Sequence, residues 1–556
     1  MNLHLLLAHA GTHRPVLPEG VPLASVVREP NPRLAIEPEH LFSWGSDPND
    51  LARQRWGVIA PEGARGDRLL ERVKPLCDRR GAQQGAPPRV YRVAPEMDAI
   101  ASEAWRKKVL RPASVPLYEQ PRYLLILGDG HEVSLELQRH LATDSFVGRL
   151  AFAEEDDYRA YAEKVIAWEE RPTAESRARA LFFTAHDGSA ATQIGHTALV
   201  SPSVKACRDE QQLGYFPARE VVEVGSPTAW SLAALLRAAA EPSPSALFTL
   251  SHGLGPPEAG WKDAASQRQL QGAMSLGGEL LEPRYVRQGR FLPGGFWLYF
   301  ACFGAATPRE SAFYPWLHRL QQEGEFGALD RLQLARPLEG RTFFAALPQA
   351  ALANPEGPLA VVGHVDLAWT YSFLELTGVN HASRFFSALG EAVQGRRAGV
   401  ALHALSNHMV QVALEILTRH QNEESAAAQG AAPPAEALHR AHLWMTHHDL
   451  AGYVLLGDPA ATLPLTPQKP VRNPTPGEVF GPGGVFGAPR EAAAPPARPG
   501  PTPEEMEAVV LQKLGGEEAP RLLAERHGLS LAELQRWEDA YRAAGREALR
   551  QLKRGG

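Results

Sequence analysis

A chain of 556 residues with 57 Lys and Arg against 63 Asp and Glu, a net charge of -6, is long for a single domain and has no basic excess with which to hold a polyanion. Its 44% hydrophobic content suffices for a sizeable core, and its three cysteines, Cys77, Cys207 and Cys302, show neither metal-site spacing nor a disulfide framework. These figures set aside nucleic acid as a main partner and fit a reducing compartment.

In chain order, residues 1–115 are rich in Pro, Gly and Arg, with a strand and turn at Trp56–Pro61 and a helix near Arg68–Arg79. The Met1–Ala10 stretch has an apolar patch that no Lys or Arg precedes and that is short for a signal-peptide core. No run of about 18 apolar residues predicts a membrane span, so a cytoplasmic protein with no membrane partner is expected. From Arg122 the pattern becomes strand, loop, helix. Tyr123–Leu127 is a strand ending in the turn Gly128-Asp129-Gly130-His131, Gly148-Arg149-Leu150 reads as structural, and Glu155–Glu170 reads as an amphipathic helix. Ala180–Thr184 is a strand leading into the loop Ala185-His186-Asp187-Gly188-Ser189. Glu220–Val224 is another, after which Ser226-Pro227 starts a helix through Ala239 and a right-handed crossover.

Two short apolar runs organise the rest of the chain: Ala246–Leu250 before Ser251-His252-Gly253, and Phe296–Phe300 before Ala301-Cys302-Phe303-Gly304-Ala305. Each is too brief for a globular helix and is bounded by Gly or Pro. In open α/β sheets, chemistry gathers beyond the carboxyl ends of parallel strands. That places His252 as a base and Cys302 as a nucleophile, since a thiol with an ordinary pKa of about 8.5 needs an imidazole to take or balance its proton. Gly253, without a Cβ, lets a substrate carbonyl approach the backbone, so its N–H and that of Cys302 are the candidate oxyanion donors. The glycine-rich stretch from Gly260 to Gly295 reads as a long loop, either a wall over the cleft or a processing site. A helix over about Pro308–Gln322 would aim its amino terminus at the sulfur and favour the thiolate. Pro358–Gly363 is a strand that runs into His364-Val365-Asp366-Leu367-Ala368-Trp369, with His364 read as turn packing. Helices are expected over His381–Gln394, over Arg397–Gln421 and up to Asp449, and a closing strand over Tyr453–Gly457. His439, His442, His447 and His448 have no Cys or HExxH company, so no metal and no cofactor is expected.

The strand-Ser251-His252-Gly253 and strand-Ala301-Cys302-Phe303-Gly304-Ala305 pair resembles the His-Gly and Ala-Cys signatures of the caspase-like (clan CD) cysteine peptidases, and within them the gingipain and CHAT-type bacterial branch. Tyr123–Asp129, Val147–Leu150, Gly363–Trp369 and Leu455–Pro459 extend the resemblance over about residues 40–465. It implies an α/β fold with a mostly parallel sheet flanked by helices, a small amino-terminal subdomain over residues 1–115 that leads into that sheet, a peptidase domain over residues 116–465, and a His252–Cys302 dyad working through a thioacyl intermediate with no third member assigned. The loop with Asp187 stands in the same chain order as the gingipain loop that supplies an acidic S1 residue, and Trp369 matches a tryptophan that lines that pocket. Asp366 is a rival source of pocket charge, and a basic P1 residue is expected because a partly desolvated carboxylate favours a guanidinium. Asp187 also reads as a turn aspartate capping its own backbone. The rival to a peptidase is a non-catalytic, peptidase-like scaffold or recruitment protein.

Residues 466–501, rich in Pro, Gly and Ala, read as a flexible linker. Residues 502–556 read as a three-helix, helix-turn-helix-like module with capping boxes at Thr502–Glu505 and Ser530–Glu533. Its charges nearly cancel, which favours docking to a protein partner over DNA. The expected partners are thus a protein or peptide substrate and a protein held by this tail.

Overall fold

The computed structural model describes residues 2–22, 47–171, 173–374, 378–428, 437–466, 506, 509–510, 534–538 and 541. The chain forms two compact units, Met1–Gln468 and Lys469–Gly556. The first is built on ten short strands: β1 (Trp56–Pro61), β2 (Arg89–Val93), β3 (Tyr123–Leu127), β4 (Phe146–Leu150), β5 (Arg179–Thr184), β6 (Glu220–Val224), β7 (Ser245–Leu250), β8 (Phe296–Phe300), β9 (Ala360–His364) and β10 (Tyr453–Gly457). Successive strand residues face opposite sides of a sheet, so strands buried at every position, such as β3, β7 and β8, require cover on both faces. That is why they appear in the sequence as unbroken apolar runs.

The strand order is β2-β1-β3-β4-β10-β9-β8-β7-β5-β6. Neighbours are parallel except β9 and β10, which pair antiparallel from Ala360–Gly457 to His364–Tyr453. The sheet is therefore two parallel halves of opposite sense, joined where the late strand β10 enters beside β4. The expected α/β architecture with a mostly parallel sheet is the one found.

No boundary falls near residue 115, because β1 and β2 lie in the same sheet as the rest. Asp458, just past β10, fastens them there. Its carboxylate accepts from Trp56 Nε1 at 3.0 Å and from Arg80 Nε at 2.7 Å, and Arg80 also meets Glu169 at 2.6 Å. All of these side chains are buried, and a charge-assisted network of this kind ties distant parts of the chain into one body. Arg149 is buried as well and donates to Gln138, to the Gly128 carbonyl and to the Ser134 carbonyl, which is a structural task.

Glu155–Glu170 forms with the expected ends, its acids in the first turn and Tyr161, Val165 and Trp168 turned inward. Two helices begin later than expected. One spans Leu232–Ala239 and is capped by Ser231, not Ser226. The other spans Tyr314–Gln322, while Ala306–Thr307 pairs with Phe343–Phe344. Ala398–Ala428 is helical, and within it Ala398–Glu423 is long and apolar enough to cross a membrane by length and composition, where no such span is expected from the sequence. In this fold it lies against helices Ser383–Val393 and Ala437–Leu450 and against β4 and β10.

The Gly260–Gly295 stretch is not an open loop. It contains helices Ala264–Leu270 and Pro283–Gln288 and two short strands. Those strands complete a second sheet in the order Leu280–Leu281, Met274–Ser275, His252–Gly255, Leu7–His9. In the Lys469–Gly556 unit, Val509 and Leu534 are buried with Trp537 against them. Residues 467–501 of the expected linker and both expected capping boxes lie outside the described residues.

Candidate active site

Strands β5, β7, β8 and β9 are parallel, so the loops after them leave the same edge of the sheet. Leu250 is in register with both Phe300 and Thr184, so His252 and Cys302 stand two residues beyond a common rung and Asp187 three. The alignment of strand ends, fixed by the ladder, brings these three loops together.

His252 is fully buried. Its Nε2 lies 2.9 Å from Ser189 Oγ and 3.3 Å from Asp187 Oδ2, while Nδ1 has no hydrogen-bond partner among the described residues. An ionised carboxylate only accepts, so the proton belongs on Nε2 and the lone pair on Nδ1. Burial pulls the imidazole pKa below its usual value, and the charge of Asp187 works the other way. Cys302 is equally buried. The Ala368 N–H points at its Sγ from 3.2 Å, and burial pushes the thiol well above its usual range. The late start of helix Tyr314–Gln322 removes the helix terminus expected beside the sulfur. Phe303, next in the chain, holds a φ of 54°, a left-handed conformation that costs about 1–3 kcal/mol, with its N–H on the Asp366 carbonyl at 2.9 Å.

Gly253 packs directly on Cys302: a Cβ built there would lie 1.8 Å from the Cys302 carbonyl oxygen. The N–H groups of Gly253 and Cys302 converge on one acceptor, the carbonyl oxygen of Leu6, at 2.9 and 3.2 Å. No signal in the sequence pointed to Leu6, because a parallel pairing between residues about 245 apart leaves no local pattern.

Of the other expected site residues, Asp187 lies beside the imidazole. Its Oδ1 accepts from Thr192 Oγ1 at 2.6 Å and from the Ser189 N–H at 3.0 Å, and its Oδ2 faces His252. Both the turn-capping role and a place beside the imidazole are therefore filled by the same carboxylate. Asp366 is also committed. It accepts from the N–H groups of Leu367 at 2.7 Å and Ala312 at 2.9 Å, and burial raises its pKa although the Ser311 hydrogen bond and those N–H groups pull it down. Trp369 is buried between Phe313 and Trp316, with ring centroids 5.8 and 5.7 Å away, and its backbone N–H donates to Asp449 Oδ1 at 3.0 Å. Its main chain bridges to Leu5. His364 has both ring nitrogens on backbone oxygens, of Asp366 and Asp449, each at 2.9 Å, which is turn packing.

His439, His442, His447 and His448 do not form a shared ligand set. His439 pairs with Glu415, His442 packs at a tilt against Tyr371, and His448 packs on Trp444. A different trio, His186, His196 and Glu223, has its ligand atoms within 4.8 Å of one another, with His196 Nε2 already 2.8 Å from Glu223 Oε1. Along the chain these three show no metal-site spacing. An open cavity of about 620 Å³ lies elsewhere, lined by Asp129, Arg268, Arg287 and Phe344 among others and sharing no residue with the His252–Cys302 cleft.

No family model and no curated protein matches this chain. Among solved structures it is similar to one described as a protease, at 12% identity over 76% of this chain and 81% of that one, with a TM-score of 0.41. It is also similar to a periplasmic sugar-binding protein from Pseudomonas fluorescens, at 11% identity over 62% of this chain and 93% of that one, with a TM-score of 0.13.

Proposed function

We propose that this chain is a cysteine endopeptidase. The observation that carries the reading is the convergence of the N–H groups of Cys302 and of Gly253, the residue after His252, on a single carbonyl oxygen. Donors about 3 Å from one oxygen are what an acyl-transfer intermediate requires, because charge develops on that oxygen as the nucleophile adds. Cys302 Sγ attacks the substrate carbonyl carbon, and His252 Nδ1 takes the thiol proton and returns it to the leaving amine. The product of that step is a thioester, which water then hydrolyses. Asp187 and Ser189 hold Nε2 and so keep the lone pair on Nδ1, making Asp187 a positioning residue for His252. The basic P1 preference expected from Asp187 and Asp366 is not carried into this reading, since both carboxylates accept hydrogen bonds from within the protein. As parts of the same proposal, the peptidase is cytoplasmic and residues 502–556 dock a protein partner.

The test is turnover of fluorogenic peptides with Arg, Lys, Asp or Leu at P1 by the full chain and by Cys302→Ala. Turnover lost in the variant is the expected result. Turnover that survives Cys302→Ala sinks the assignment, and the absence of both turnover and labelling of Cys302 by a peptidyl electrophile favours the scaffold reading.

A further inference from the structure

The carbonyl in the candidate oxyanion site belongs to a segment that is held on both sides as a substrate would be. Leu5 forms an antiparallel bridge to Trp369, and the Leu6 N–H donates to the Ala368 carbonyl at 3.4 Å. Past Leu6, the strand Leu7–His9 runs parallel to Gly253–Gly255. The wall before the held carbonyl is thus the chain beyond β9, and the wall after it is the histidine strand. Main-chain ladders of this kind are how extended peptides are bound, with affinity from the backbone and selectivity from the side-chain pockets. Leu5, Leu6, Leu7 and Ala8 are all at most 1% exposed, and the three leucines belong to the same apolar cluster as Cys302 and Trp369.

We propose that this cleft binds an extended peptide with a large aliphatic residue at P1, and that the Leu3–His9 segment is its resident occupant, with Leu6 in the P1 place, competing with substrate and lowering turnover wherever it is not displaced. The proposal rests on the peptidase reading above for the meaning of P1, but the occupancy does not. The chemistry of the lining agrees with it. The side chain in the P1 place is buried in an apolar cluster, and of the two nearby carboxylates that would have paired a guanidinium, Asp187 faces His252 and accepts from Thr192 while Asp366 accepts from the Ala312 N–H. With the segment in place the thiol and the imidazole are both fully buried, a setting that favours their neutral forms over the reactive ion pair. A peptide from outside has to take the position of Leu6 before it can meet the sulfur.

Leu6→Asp in the full chain sets a carboxylate in a place with no access to water and expels the segment. Alkylation of each cysteine by iodoacetamide, followed by mass spectrometry, reads the result without any need for turnover. Cys302 is expected to react at least tenfold faster in Leu6→Asp than in the unaltered chain, while Cys207, buried in the core, stays protected and shows that the sheet is intact. Equal Cys302 rates with Cys207 protected overturn the occupancy. Should Cys207 react as well, Leu6→Gly, which keeps the backbone and empties the side-chain pocket, carries the comparison with the same two outcomes. For P1, leucyl and arginyl peptide aldehydes of otherwise equal sequence are set to protect Cys302 of the variant: stronger protection by the leucyl compound is expected, and stronger protection by the arginyl compound overturns the aliphatic assignment. A freed Cys302 with no turnover of any peptide would refute the peptidase reading while leaving the occupancy standing.

Discussion

Gly253→Ala probes the close approach around which the site is built. The new methyl would lie 1.8 Å from the Cys302 carbonyl oxygen and 2.8 Å from its carbon, where real contacts of this type do not fall below 3.0 Å. Both obstacles are backbone, so no side chain can swing aside, and the segments after β7 and β8 must part by about 1.2 Å. Overpacking of this kind costs about 1–3 kcal/mol. The same shift moves the two N–H donors apart, and a displacement of about 1 Å in a reacting geometry costs on the order of a hundredfold in rate. Thermal unfolding and kcat/KM on the best fluorogenic peptide measure the two effects, with Gly11→Ala, which meets nothing within 4 Å, as the silent control. A Gly253→Ala chain with unaltered melting and turnover would refute both the packing argument and the oxyanion assignment.

Asp187→Asn removes a charge that supports protonation of His252, so the imidazole pKa falls further and the acidic limb of the pH–rate profile moves to lower pH. Turnover drops by roughly tenfold to a hundredfold as the ring loses its orientation, and KM for arginyl peptides stays the same; a change confined to that KM would return Asp187 to a P1 pocket. At His364 burial opposes the charged ring, yet the hydrogen bond and charge of Asp449 outweigh it, so the folded pKa is raised. The pair therefore stabilises fully below about pH 6.5 and its contribution fades as pH rises through the raised value. Asp449→Asn is expected to cost about 3–5 kcal/mol in urea unfolding at pH 6 and less at higher pH, and a deficit that grows with pH would contradict this. Burial lowers His403 and His447 to about 4, with the charges of Arg122 and Arg139 adding to it. Their neutral forms stabilise above about pH 6.5, and that contribution is lost toward pH 4 at up to about 1.4 kcal/mol per pH unit each. His447→Leu should accordingly flatten the acid side of the stability curve seen by thermal unfolding.

Much of the scaffold was legible because burial on both faces leaves a local mark. β3, β7, β8 and β10 each appear as apolar runs that stop at a polar or glycine residue, and Glu155–Glu170 announces itself by its acids and its apolar stripe. The rule that parallel strands deliver chemistry at their carboxyl ends was enough to single out His252, Cys302 and Gly253. The sequence thus determined the element types and named the candidate side chains. It could not show that β10 enters antiparallel between β4 and β9, since strand order depends on contacts between residues hundreds of positions apart. For the same reason Asp187, read as a pocket charge or a turn cap, came to lie on His252, and Asp366 on the Ala312 N–H. Leu5-Leu6-Leu7 carried no mark beyond being apolar, and only the folded chain set its central carbonyl between two N–H groups of the cleft. Local free energies choose helix or strand within a few residues, whereas which loop faces which is settled by the joint packing of the whole sheet, and a site made of such meetings exists only there.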